Sequence, residues 1–164
     1  MTPEFPRPLL LERIGAAGHD VTVSADATEC AALAIRMHLP AIQSLVCRFH
    51  LRAAPGDCFV AEGQLRASVT QTCIVSLDDF PAEVAEDFVV HFVPAGTENE
   101  DPDLDAIDEI CYAGDVIDIG EAAAEQLALG LDPYPRKPGA ALEPEPGLSP
   151  ENPFARLAAL RRRS

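Results

Sequence analysis

The 164-residue sequence predicts an α+β fold, with an antiparallel β-sheet or partly closed barrel, two packed helices, an acidic loop and a Pro-rich C-terminal tail. Three observations predict it. Asp26 and Asp118 each precede a glutamate by three residues (Glu29 and Glu121), the spacing of a capping box at a helix start. Behind each lies a run with helical apolar spacing. Between the two runs, apolar and polar side chains alternate with period two, broken by short turn signals.

Taken in order, Phe5 to Ile14 and Asp20 to Ser24 read as short strands around a Gly15–Gly18 turn. The first helix follows Asp26, with Cys30, Ala31, Leu33, Ala34 and Met37 apolar, and Pro40 stops it. From Ala41 the period changes to two. Leu45, Cys47, Phe49 and Leu51 face one way, while Ser44, Val46, Arg48, His50 and Arg52 face the other. Ala54-Pro55-Gly56-Asp57 is a turn signal. Phe59, Ala61, Leu65, Ala67 and Val69 then alternate against Glu62, Gln64, Arg66 and Ser68. Thr70 to Leu77 reads as a third strand, and Val84 to Val93 as a fourth with Phe88, Val90 and Phe92 on one side. Short turns between consecutive strands imply antiparallel pairing.

Residues 96–114 carry a run of like charges, which repel, and this predicts a flexible acidic loop. The second helix follows Asp118, and Ile119, Ala123, Leu127 and Leu131 form its apolar stripe. Pro133, Pro135 and Pro138 then force an extended, stiff segment. Residues 1–139 therefore read as one domain. Residues 140–164 read as a Pro/Glu-rich linker and a short basic helix, Pro153 to Leu160, ending in Arg161-Arg162-Arg163.

Charge is unevenly placed. Of the formal −15, residues 96–132 hold twelve acids and no basic residue, whereas residues 133–164 hold six basic residues against three acidic ones. So acidic a chain does not suit bulk attraction to DNA or RNA, which needs a clustered basic patch; it suits a basic protein. Asp101, Asp103, Asp105, Asp108 and Glu109 are the candidate acidic partner surface. Two basic groups are candidate partner or RNA contacts. One is Arg48, Arg52 and Arg66 on a sheet face, where arginine suits bidentate phosphate contacts. The other is the segment with Tyr134, Arg136 and Lys137, the last being the only lysine.

Catalytic and metal signatures are missing from the motifs. The sequence has no nucleophile elbow, phosphate loop or dinucleotide-binding glycine pattern, and its four histidines are far apart. Cys30, Cys47, Cys58, Cys73 and Cys111 form no C-x-x-C pair, so buried thiols are expected, with no metal and no cofactor. The acidic run lacks the glycine of a calcium loop. No apolar run approaches the roughly 18 residues that span a bilayer, and the first residues have no signal-peptide core, so a cytoplasmic protein is expected.

The stretch L-D-P-Y-P-R-K-P-G at Leu131–Gly139, with I-D-I-G-E before it, resembles the signature end of the YceD family, the large-ribosomal-RNA-subunit accumulation proteins. Ala25–Ile42 resembles that family's E-x-x-A-L-A-x-R-x-x-L-P helix, Gly63–Cys73 its G-x-L-x-A-x-V-T-Q-T-C core, and N-P-F-A-R-L-A-A-L its close. The resemblance implies a non-enzymatic ribosome biogenesis factor supporting large-subunit ribosomal RNA. Its partner would be that RNA's precursor or a basic large-subunit ribosomal protein. Many members carry a C-x-x-C pair near the central strand; here Thr70 stands three residues before Cys73, so one of the two thiols is lacking. A metal-dependent RNA-processing enzyme using the acidic run is the alternative from a different class.

Overall fold

The computed structural model describes residues 3–97 and 108–141. In chain order the elements are β1 (Pro8–Leu10), a short 3-10 helix (Leu11–Arg13), β2 (His19–Ser24), α1 (Ala27–Arg36), β3 (Ala41–Ala54), β4 (Cys58–Thr72), β5 (Asp79–Pro94), β6 (Asp108–Tyr112), β7 (Val116–Asp118) and α2 (Ile119–Gly130). Strands β2-β3-β4-β5-β6 form one open sheet in that order, and β1 pairs with β7 in a separate two-stranded sheet. The fold is α+β, and no barrel closes.

The period-two reading of β3 and β4 holds. Leu45, Cys47, Phe49 and Leu51 are buried, as are Ala61, Leu65, Ala67 and Val69, and the helices cover this inner face with Leu33, Ala34, Ala123 and Leu127. Phe49, Gly63 and Phe88 stand opposite one another on three adjacent strands. The two rings meet edge to face across the glycine, 5.8 Å between centroids. A Cβ at Gly63 would lie 2.1 Å from the Phe88 ring, so this contact requires glycine.

Both helix starts were legible. Asp26 accepts from the Thr28 and Glu29 amides while the Glu29 carboxylate accepts from the Asp26 amide, a complete capping box. At α2 the box is only half formed. Asp118 accepts from the Gly120 and Glu121 amides, but the Glu121 carboxylate instead takes both Arg36 guanidinium nitrogens, at 3.0 and 2.6 Å.

Four expectations need correction. Phe5 to Ile14 is strand only at Pro8–Leu10, and its partner is β7, not β2. The strand expected to reach Leu77 ends at Thr72; Cys73 to Leu77 is a turn closed by the Leu77 amide donating to the Cys73 carbonyl. β5 starts at Asp79 and runs through Pro81, in a stretch where β6 does not pair with it and a missing N–H is tolerated. Finally, the expected flexible loop 96–114 contains β6, which places Asp108 and Glu109 in a strand parallel to β5. Thirteen residues connect β5 to β6, about the dozen that a parallel crossover needs. Ile110 and Tyr112 anchor β6 on the core, Tyr112 edge-on to Phe59 at 6.0 Å.

Gly120 offers a test of how the N-terminal segment seats on α2. A Cβ there would lie 2.0 Å from the Phe5 carbonyl oxygen, whereas one at Gly15 meets nothing within 4 Å. Urea unfolding should show G120A losing about 1–3 kcal/mol, as overpacking does, and G15A changing by no more than about 0.5 kcal/mol. Equal stability of G120A and the natural chain would refute this seating.

Candidate interaction surface

The outer face of the sheet does collect the three predicted arginines. Arg48 faces Gln64 and Arg66 faces Val46 across β3 and β4, with Arg52 further along β3. Neighbouring carboxylates offset most of their charge. Arg52 pairs with Glu62 at 2.6 Å, Arg66 with Asp87 at 3.6 Å, and His50 with Asp20 at 2.7 Å. Glu86, by contrast, has the inward parity of β5, and its side chain lies against Gly130. Among the described residues only Arg48 of the three has no carboxylate within salt-bridge distance. A shallow pocket of about 510 Å³ lies beside it, bordered by His50, Glu62, Gln64 and Asp87. Phe49 and Phe88 also border it, but both have the inner-face parity of their strands and pack on each other, so neither offers an exposed ring for stacking bases. This face is charge-balanced.

The proline segment takes a different position. It continues from α2, which packs on the inner face, and docks on the β4–β5 turn. The Ile74 amide donates to the Pro135 carbonyl at 2.9 Å, and the Gln71 side chain to the Asp132 carbonyl at 3.2 Å. The Tyr134 amide donates to Asp132 Oδ1 at 2.9 Å, holding the turn into the prolines. Lys137 Nζ lies 3.3 Å from Asp78 Oδ2, so its charge is partly spent on fixing the segment. Arg136 and Tyr134 are exposed, Tyr134 by 71%. No hydrogen bond or ion pair joins this segment to the sheet arginines among the described residues. The two predicted basic groups are two separate features.

Of the acidic candidates, Asp108 and Glu109 sit on exposed positions of β6, and Asp108 accepts from the Gln126 side chain at 3.4 Å. On α2, partial burial raises the Glu125 carboxyl above its usual range, with the Glu121 charge adding to the effect. Asp101, Asp103 and Asp105 lie outside the described residues. Among the described residues no three metal-ligating side chains cluster.

Cys73 occupies an unexpected environment. Cys30 and Cys47 are buried as predicted, but Cys58 is half-buried and Cys111 exposed. Cys73 is buried too, yet its sulfur accepts from the Val75 and Ser76 amides, both at 3.4 Å, inside the β4–β5 turn. Hydrogen bonds from the Ser76 hydroxyl and amide, and then from the Lys137 and Val75 amides, favour the thiolate and bring the pKa down to about 6 against the opposing effect of burial. Burial pushes Cys47 up to about 12, against a smaller opposing effect of the Gln64 amide. Three residues before Cys73, the Thr70 hydroxyl accepts from the Gln43 side chain at 2.8 Å. With one thiol and an engaged threonine, these positions do not fit a zinc site. Sequence reasoning missed the turn because T-Q-T-C-I-V is rich in residues that favour strands and contains no glycine or proline to mark a reversal.

A family model described as large ribosomal RNA subunit accumulation protein YceD matches residues 61–161. The match begins within β4 and takes in the Cys73 turn, α2 and the proline segment, but not α1. No curated protein and no solved structure matches the chain. No helix among the described residues is long and apolar enough to cross a membrane.

The Cys73 environment has a pH signature. Its folded pKa of about 6 lies below the unfolded thiol value of about 8.5. The stabilisation is therefore complete above about 8.5 and is lost as pH falls toward 6. Urea unfolding of the natural chain and C73A from pH 6 to 9 should give a stability difference that grows with pH. A difference constant across that range would rule out a stabilised thiolate.

Proposed function

The chain belongs to the YceD family, whose model matches well over half of it, and from that premise we propose that it is a non-enzymatic factor supporting accumulation of large-subunit ribosomal RNA. The family name carries the large-subunit role. For the molecular step, the reading favoured here is that the acidic surface holds a basic large-subunit ribosomal protein before assembly. On this reading the protein acts in the cytoplasm. The observation that carries it is the distribution of charge. The chain is formally −15, and the sheet arginines Arg52 and Arg66 already face Glu62 and Asp87. Direct RNA binding needs unspent positive charge collected on one surface. Among the described residues, the arginines outside the ion pairs given above, Arg13, Arg48 and Arg136, are too few and too scattered to supply it.

The deciding experiment has two arms. Cells lacking the protein should show a lower ratio of large- to small-subunit ribosomal RNA, restored by the natural chain. Complexes captured from cells on the tagged protein should contain a basic large-subunit protein that persists after nuclease treatment and dissociates as salt rises. An unchanged RNA ratio would remove the large-subunit role itself. Loss of the captured protein on nuclease treatment, with tight and steeply salt-dependent binding to isolated RNA, would replace the protein partner with RNA. In that case R136A/K137A should fail to restore the ratio. Magnesium-dependent RNA cleavage abolished by D103N/D105N would establish the enzymatic alternative instead.

A further inference from the structure

At one end of the sheet a groove of about 370 Å³ opens between three segments, the α1–β3 connection, the end of β4 and the chain after α2. Its apolar lining comes from Met37, Leu39, Ile74, Leu131, Pro133 and Pro135. Among the described residues, eight large apolar side chains are exposed; of these Ile74 lines the groove and Tyr134 stands between its lining residues Pro133 and Pro135. Exposed apolar surface gathered in one place marks a docking surface, whereas scattered single residues do not.

We propose that this groove seats the chain's own C-terminal segment, Pro153–Leu160, with Phe154 as the anchor. The exit point of the chain favours this occupant. Pro135 forms part of the groove, Lys137 is tied to Asp78 on the adjacent turn, and the described chain ends six residues after Pro135, at Ala141. Twelve residues separate Ala141 from Phe154; at about 3.3 Å each they reach roughly 40 Å, ample for the segment to fold back. Its chemistry also fits. Phe154, Leu157 and Leu160 recur at a spacing of three, which puts them on one face of a helix, and Pro153 suits a first helical position. A groove near the lower end of the usual 300–1,000 Å³, at about 370 Å³, takes an aromatic anchor with an aliphatic neighbour. Charge is complementary as well. Arg156 and Arg161 to Arg163 lie within and just beyond the segment, while Asp132 lines the groove and Asp79 accepts from Thr72, another lining residue. The family match runs from residue 61 to 161 and so takes in this segment together with two of the groove's three walls.

The test uses the full-length chain with F154W. The natural sequence has no tryptophan, so the substitution introduces a single indole. Its emission should be blue-shifted, resistant to acrylamide, and the same at every protein concentration. Adding I74D, or P133D as a second variant, should shift the emission to the red and restore quenching, while circular dichroism confirms an unchanged fold. Solvent-like emission from F154W alone would overturn the proposal. So would a blue shift that neither groove substitution moves, which would put the segment elsewhere. A blue shift that appears only at high concentration would assign the groove to a second copy. None of these outcomes depends on the ribosomal reading.

Discussion

One carboxylate oxygen, Oδ1 of Asp118, accepts from three backbone amides: Arg7 at 2.9 Å, Gly120 at 3.0 Å and Glu121 at 3.1 Å. Two of these start α2 and the third fastens the N-terminal segment. The Ile119 amide returns a bond to the Arg7 carbonyl, and Gly120 leaves room for the Phe5 carbonyl to come close. Glu121, released from capping, reaches Arg36 at the end of α1, and Arg7 makes a two-pronged pair with Glu29 at the start of α1. Each ion pair is partly exposed and contributes on the order of 1 kcal/mol or less. Their larger effect is geometric, because they fix the rotation of both helices over the sheet. The position of α2 in turn decides where its prolines land.

This arrangement explains why I-D-I-G-E reads as a motif. Each polar or small residue in it has a distinct physical task, and none of those tasks is catalytic. Asp118 caps, Gly120 makes space, and Glu121 holds Arg36. The same holds for the glutamate and arginine of the first helix, Glu29 and Arg36, which reach residues 22 and 85 positions away. Signature residues of this kind specify a fold.

The fold was legible wherever local patterns and tertiary packing agreed. Asp26 and Asp118 announced both helices, and the alternation through Leu45 to Leu51 and Ala61 to Val69 announced two central strands with the correct inner faces. It was illegible where pairing depends on distant residues. D-E-I-C-Y has only Ile110 and Tyr112 to show, and its partner lies across a thirteen-residue connection, so charge repulsion dominated the local signal. The candidate site divided in the same way. Period two placed Arg48, Arg52 and Arg66 on one face, but the register that set Asp87 beside Arg66 could not be read from one strand. The groove was invisible too, since its walls come from segments near residues 37–40, 71–74 and 128–135.

The buried thiols Cys47 and Cys73 show how far environment overrides residue type in this chain. Cys47 has apolar neighbours in the middle of β3, and burial makes its thiolate inaccessible at neutral pH. Cys73 lies at a strand end, where the chain reverses and several N–H groups converge on the sulfur. Those amides have no strand partner, and the sulfur takes the place of one. The proline segment adds the Lys137 amide to that set and the Pro135 carbonyl to the Ile74 amide, so the turn and the segment complete each other's hydrogen bonds. Neither is a free loop. Because the segment is held there by backbone bonds, Tyr134, Arg136 and the apolar groove are presented from a rigid edge. A partner docking at that edge would incur little ordering entropy, which the charge-balanced sheet face, with its long side chains already paired, could match only by giving up its own ion pairs.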